Sequence, residues 1–412
     1  MMVPKLRFEG FNKNWAVKKL ENVFSFKNGL NASKEMYGKG IKFINVLDII
    51  NNEKITFDVI QESVEATNEQ ISAYQVRQGD IVFQRSSETR DEVGQANVYA
   101  DSETVLFGGF VIRARPLINI NSTFLNFQLK TDALRKDITQ RSGGSTRYNI
   151  GQDSLGKVTA FFPEIREQEK IANFLSSVDE KMALLNKQYE LLCQYKKGLM
   201  QKIFSQEVRF KDKNGRGFPK WTMRIFSDFF TIGSSKRVLQ DDWVNEGVPF
   251  YRTRELVSLS KKKKFKSEIF ITEDNYTYLK DKYGVPAVGD FLVSGVGTLG
   301  VIYQVKNDNP FYFKDGNVLW FKKNNEISSD FFYHVFNSPK VLRQIVDHAA
   351  ITTVGTYTIE NAKKTKFMCP SLEEQTKIAN LLSAMDDKIT TKKAELDKLK
   401  SWKQGLLQKM FV

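Results

Sequence analysis

Gly295, Gly297 and Gly300, in SGVGTLG, have the GxGxxG spacing with which a turn can cradle a dinucleotide pyrophosphate. That use needs a helix next. The residues that follow, VIYQV, alternate as a strand does, so the stretch reads as a turn between strands. Asp308-Asn309-Pro310-Phe311 begins like the Asn/Asp-Pro-Pro-Tyr/Phe loop of amino-methyltransferases, but it lacks the second proline and has no companion cofactor motif. No GxxxxGK[ST] offers a seat for ATP. His334 and His348 lie in or beside an apolar helical pattern and read as structural. Cys193 and Cys369 stand alone, without CxxC spacing. Two Cys and two His exclude a disulfide framework and argue against a protein-ligated metal. No constellation for catalysis remains, and no cofactor of the chain's own is expected.

A second kind of chemistry, the reading of base edges, needs paired donors and acceptors: Arg toward guanine, Asn or Gln toward adenine. FQRSSETRDEVG offers Gln84, Arg85, Ser86 and Arg90 just after a strand-like run. RSGGSTRYN offers Arg141, Ser145 and Arg147, with glycines that permit close backbone approach. The corresponding places later in the chain hold Thr298 in SGVGTLG and Thr353 and Thr356 in TTVGTYT. Arg252 and Arg254 follow VPFY. KKKKFK supplies Lys261, Lys262, Lys263 and Lys264 for phosphates. Each of these also suits an ordinary surface loop, and the lysine run suits a solvated one. The charge balance favours an anionic partner: the chain is +14, and the stretch 206–369 carries +8 of that. Nucleic acid, ribosome and membrane surface all fit that charge. No apolar run approaches the ~18 residues needed to cross a bilayer, and MMVPKLRFEG lacks a signal-type apolar core. A soluble protein of the reducing cytoplasm is expected.

The elements that must position these loops are announced by a repeat. REQEKIANFLSSVDEKM begins at Arg166, and EEQTKIANLLSAMDDKI begins at Glu373. From Pro163 and Pro370 onward the two copies align without a gap, with about 18 of 43 positions identical. Apolar residues recur at Ile171, Leu175, Val178, Met182, Leu185, Tyr189, Leu192, Leu199 and Ile203, with Lys196 at the skipped step. The second copy runs Ile378, Leu382, Met385, Ile389, Leu396, Leu399, Leu406 and Met410, with Lys392 and Lys403 in the seam. Such a 3–4 alternation predicts two long helices that pair along a heptad seam. Ser371-Leu372-Glu373-Glu374 reads as a capping box that starts the second.

The segments ahead of each helix also correspond, more weakly. Trp15 matches Trp221, GDIVF matches GDFLV, and GGFVIR matches DGNVLW. Candidate strands are KFINVLDI, DIVFQ, NVYA and FGGFVIRARP. One helix is expected from Ser122 through FLNFQLKTDALRKDI, with DFFYHVFNSPKVLRQIV as its counterpart. At 41% hydrophobic and 12% aromatic residues, each module can bury its own core. The predicted fold is α+β: modules at 1–162 and 206–369 related by a pseudo-twofold axis, joined by antiparallel coiled-coil helices at 163–205 and 370–412.

This order of module, Pro-x-x-x-Glu-Gln-x-x-Ile-Ala-x-x-Leu helix, module and repeated helix resembles the specificity subunits of type I restriction-modification systems, over essentially the whole chain. The resemblance rests on Pro163, Glu167, Gln168, Ile171, Ala172 and Leu175, and on Pro370, Glu374, Gln375, Ile378, Ala379 and Leu382. It implies that each module is a target-recognition domain for one half of a split site in double-stranded DNA. It implies that the helices set the unread gap. These motif residues, with Leu199 and Leu406, would serve helix pairing and the docking of two methyltransferase subunits. The subunit itself would be non-catalytic. S-adenosylmethionine would sit on the methyltransferase subunits, and ATP and Mg on two restriction subunits. Two other readings stay open: a self-contained DNA methyltransferase or nuclease, and a DNA-binding regulator or coiled-coil scaffold outside restriction.

Overall fold

The computed structural model describes residues 3–261, 265, 268–324, 326–349 and 355–411. The chain divides into two compact units, residues 1–187 with 393–412 and residues 188–392. Each unit therefore holds one module, a segment of one long helix and the complementary segment of the other. The helices run Ile165–Phe204 and Leu372–Met410.

In the first unit a four-stranded antiparallel sheet runs in the order Phe24–Asn28, Val111–Pro116, Ile81–Gln84, Ala96–Val98. A smaller mixed sheet orders Ser63–Val64, Tyr37–Ile44 and Leu106–Phe107. Ala16–Lys19 pairs with Thr159–Phe162 and closes the module where the long helix begins. The second unit repeats this plan. Its larger sheet is Phe230–Gly233, Val318–Lys323, Phe291–Ser294, Ile302–Gln304. Its smaller sheet is Phe270–Ile271, Val248–Tyr251, Tyr312–Phe313, and Thr222–Ile225 pairs with Lys366–Cys369. DIVFQ and DFLVS are central strands, buried on both faces, which is why they read as continuous apolar runs.

Two expected elements are shorter than the sequence suggested. The strand in KFINVLDI ends at Ile44. Asn45 and Asp48 form a capping box that turns Val46–Ile50 into a helix. The helix expected from Ser122 is two, Ser122–Leu129 and Asp132–Gln140, because Thr131 turns its hydroxyl onto the Gln128 carbonyl between them. The counterpart splits likewise into Ser329–Phe336 and Pro339–Ala349, with proline at the start of the second helix where its missing N–H costs nothing.

The heptad seam is the buried face of each helix. In the first unit Ile171, Leu175 and Val178 share a core with Trp15, Phe124, Leu406, Met410 and Phe411. In the second, Met200 and Ile203 join Ile378, Leu382, Trp221 and Phe331. Within each unit the paired helix segments run antiparallel. Two seam lysines are paired: Lys403 Nζ lies 2.5 Å from Asp179 and 3.2 Å from Glu53, and Lys196 Nζ lies 2.5 Å from Asp386. Among the described residues, no helix is long and apolar enough to cross a membrane.

Candidate nucleic-acid interface

In the first module the candidate loops meet at Arg85. It follows the central strand Ile81–Gln84, so its backbone position is fixed by the core. Its N–H donates to the Phe110 carbonyl at 2.8 Å, and its carbonyl accepts from Ile150 N–H at 3.0 Å. Ser86–Ser87 pairs with Tyr148–Asn149, and the Ser86 hydroxyl bonds the Asn149 side chain. Three loops, 85–90, 108–110 and 141–149, are thus brought together. Arg85 is half-buried, with one guanidinium N–H reaching the Gly109 carbonyl at 3.4 Å. Ser145 and Arg147 are exposed on the Gly143–Gly144 turn. Among the described residues neither Arg85 nor Arg147 forms an ion pair.

Other candidates have work inside the module. Gln84 is buried and donates to the Ser86 carbonyl. Arg90 donates to the Thr139 carbonyl at 3.2 Å, and Arg141 pairs with Asp137 at 2.9 Å.

The second module builds the same hub with different side chains. Gly295 follows the strand Phe291–Ser294. Its N–H donates to the Asn317 carbonyl at 2.9 Å, and its carbonyl accepts from Tyr357 N–H at 2.8 Å. Gly295 stands where Arg85 stands, Asn317 where Phe110 stands, and Tyr357 where Ile150 stands. The glycine is required: a Cβ there would lie 2.8 Å from the Tyr357 carbonyl oxygen. The GxGxxG is indeed the turn of a hairpin, joining Phe291–Ser294 to Ile302–Gln304. Thr298 is exposed on it, and Thr356 lies alongside, bridged through Val296.

Arg252 and Arg254 were expected as readers, but they are engaged at the start of helix Thr253–Ser260. Arg252 caps it and chelates Glu255, and Arg254 bonds both Glu255 and Glu268. Burial raises the Glu255 carboxyl pKa, but hydrogen bonds from Arg252 and Arg254 outweigh it and hold the group below its ordinary range. Lys261 is exposed at the end of that helix. Lys262, Lys263, Lys264 and Thr353 lie outside the described residues.

The repeated Glu-Gln motif faces inward, which revises the expectation that it offers a docking surface. Glu167 is 0% exposed and chelates Arg7 at 2.6 and 2.7 Å. Gln168 accepts from Asn121 N–H at 2.9 Å and donates to the Pro163 carbonyl at 2.8 Å. The second copy does the same. Glu374 holds Arg209 and the Trp221 indole, while Gln375 holds Ser328 N–H and the Pro370 carbonyl. Ser371 caps the second long helix as expected, its Oγ accepting from Glu374 N–H at 3.5 Å, but the Glu374 carboxylate is taken by Arg209 and Trp221 and does not complete the capping box. The motif clasps each long helix to the helix that opens with Ser122 or Ser329. Ile171, Ala172, Leu175 and Leu406 are core residues of one unit, and Ile378, Ala379 and Leu382 of the other, with Leu199 packed against the latter. Arg7 and Arg209 were missed, although both stand as Arg-Phe shortly ahead of Trp15 or Trp221.

Among the apolar side chains that the long helices leave open, beside Leu184, Leu191 and Leu372, one aromatic stands at the corresponding step of each. Tyr195 is 62% exposed and Trp402 is 49% exposed.

Comparison with known proteins agrees with this architecture. A family profile described as "Type I restriction modification DNA specificity domain" matches twice, at residues 12–194 and 219–401. The MjaIX type I restriction enzyme specificity subunit of Methanocaldococcus jannaschii is 23% identical, over 97% of this chain and 93% of its own. A second protein of that organism, carrying the MjaX specificity-subunit name, is 27% identical over 96% and 92%. In fold, the chain resembles the crystal structure of a type I restriction-modification S subunit from M. genitalium. That match has a TM-score of 0.61 at 18% identity and covers 100% of this chain and 99% of the other.

Proposed function

The chain belongs to the type I restriction-modification DNA specificity family, as a specificity subunit with two target-recognition domains, and on that premise we propose how its parts divide the work. Module 1–162 reads one half of a split duplex site and module 206–369 reads the other. The paired helices, 163–205 and 370–412, hold the interval between them. The observation that carries this reading is the shared hub: one backbone frame presents Arg85 and Phe110 in one module and Gly295 and Asn317 in the other. A common frame with divergent side chains is what two readers of different sequences require.

Two methyltransferase subunits dock on the long helices. Because the Glu-Gln motif is buried, we assign the contact to the open faces, with Tyr195 and Trp402 as corresponding anchors; aromatics are favoured at such centres. Adenine methylation belongs to those subunits with their S-adenosylmethionine, and cleavage to restriction subunits with ATP and Mg. The site of action is cytoplasmic DNA.

The test is co-expression with the neighbouring methyltransferase subunit in a methylation-free host, with methylated adenines mapped by single-molecule sequencing. A split motif that appears only when this chain is present is the expected result. Methylation independent of the chain would overturn the reading and favour a scaffold.

A further inference from the structure

Phe110 is 61% exposed, and of the 32 phenylalanines it is the only one among the described residues left open to solvent. A single exposed apolar side chain is ordinary on a protein surface. Its position is not. Phe110 sits on the turn Gly108–Gly109–Phe110, and its carbonyl is the acceptor that fixes Arg85 N–H at 2.8 Å.

That turn is pinned. Gly108 N–H donates to the Ile44 carbonyl at 3.0 Å, Val111 N–H to the Gly108 carbonyl at 2.8 Å, and Leu30 N–H to the Phe107 carbonyl at 2.9 Å. Gly29 lies so close that a Cβ on it would be 2.0 Å from the Gly108 carbonyl oxygen. A backbone held this firmly keeps the Phe110 ring outside the core, on the same turn whose Gly109 carbonyl accepts from the Arg85 guanidinium at 3.4 Å. The corresponding position of the second module holds the polar, exposed Asn317 on the same hub.

Resting on the DNA-reading function above, we propose that Phe110 is an apolar wedge that inserts against a base step of the half-site read by module 1–162, and that the second module, with Asn317, lacks one. The occupant follows from the surroundings. Arg85 and Arg147 are cationic, and neither is neutralised by a described ion pair. The neighbouring Ser86 and Asn149 offer donors and acceptors. Rigid placement means that little ordering entropy opposes insertion. Apolar side chains set among basic and amide groups are the usual means of partly unstacking a step. Phe110 then reads the deformability of that step, and Arg85 beside it reads an edge.

The experiment uses the complex of the full chain with its methyltransferase subunits. Its split site is first mapped by methylation with the unaltered chain. Duplexes of that site carry 2-aminopurine at successive positions of each half. The unaltered complex should raise fluorescence at one step of the half-site assigned to module 1–162. Phe110→Ala should lose that rise and bind about tenfold more weakly. The salt dependence and melting temperature should stay unchanged, and Phe110→Trp should restore both binding and signal. Equal binding and fluorescence in Phe110→Ala would overturn the wedge while leaving the reading of two half-sites intact. Loss of methyltransferase assembly in Phe110→Ala would also overturn it, marking the ring as a protein contact. Failure of the unaltered chain to yield any split motif would instead overturn the DNA reading itself, and the wedge with it.

Discussion

Lys403 and Asp179 form an ion pair 2.5 Å apart inside the first unit, and the residues 207 positions away from them, Lys196 and Asp386, form the same pair at 2.5 Å inside the second. Each lysine interrupts an apolar seam, and each finds its aspartate on the other long helix. Lys403 is 8% exposed and is also 3.2 Å from Glu53. Burial pushes the Asp179 carboxyl pKa up, and Lys403 opposes the shift. A polar pair in a heptad seam specifies register at some cost in stability.

Removing one partner should therefore cost more than removing both. Lys403→Met leaves Asp179 without its cation and should destabilise the chain by about 3 kcal/mol. Lys403→Met with Asp179→Leu should recover most of that. Urea denaturation of the four chains of the double-mutant cycle checks it. Additive losses would show that the pair contributes nothing specific.

His334 gives the second unit a pH dependence of its own. Its ring is 2% exposed, Nε2 lies 3.2 Å from Ser383 Oγ, and its counterpart in the first unit is Phe127. Burial, with Lys196 next in effect and Asp386 opposing, pushes its pKa down to about 4. The unfolded chain then takes up a proton near pH 6.5 that the folded chain refuses. The stabilisation is whole above about pH 6.5 and is lost as pH falls toward about 4, by up to about 3 kcal/mol. His334→Phe should flatten the fall in melting temperature between pH 7 and pH 5. An unchanged fall would place the sensitivity elsewhere.

Arg85 and Arg147 should fail differently. If Arg85 reads a base edge, Arg85→Ala relaxes the recognised sequence at one position of one half-site, at a cost of about 1–3 kcal/mol. Arg147→Ala, on an exposed glycine turn, should weaken binding to all sequences and lower the salt slope by about one counterion. Methylation maps and salt titrations of each variant separate the two.

The exposed aromatics should matter for assembly, not for folding. Tyr195→Ala and Trp402→Ala should each leave the melting temperature nearly unchanged while weakening one methyltransferase contact by about 2 kcal/mol. Sedimentation of the complex should show one subunit lost from each single variant and two from the double. Trp402 also meets Phe174 edge-on at 6.0 Å, so its melting curve is the control to watch.

Much of the architecture was legible because it is periodic. The seams at 171–203 and 378–410 fix which helix face is buried, and the apolar runs DIVFQ and DFLVS fix the central strands. Local side-chain bonds were harder to read. Asn45 with Asp48 ends a strand early, and Thr131 breaks a helix, through hydrogen bonds that no periodicity announces. The Glu-Gln motif was legible as a repeat but not as an inward clasp, since its partners Arg7 and Asn121 lie 160 and 47 residues away. The correspondence of Arg85 with Gly295 follows from the match of GDIVF with GDFLV, but the backbone bonds that tie each of them to Phe110 or Asn317 could not be read from side chains that share nothing.

The most direct test exchanges one reader and leaves the frame. Residues 1–162 would be replaced by the corresponding module of a family member whose methylated site has been mapped, and adenine methylation would be mapped again with the same methyltransferase subunit. One half-site should change to that of the donor, while the other half and the interval between them stay as they were. A change in both halves, or in neither, would contradict the division of reading between the two modules.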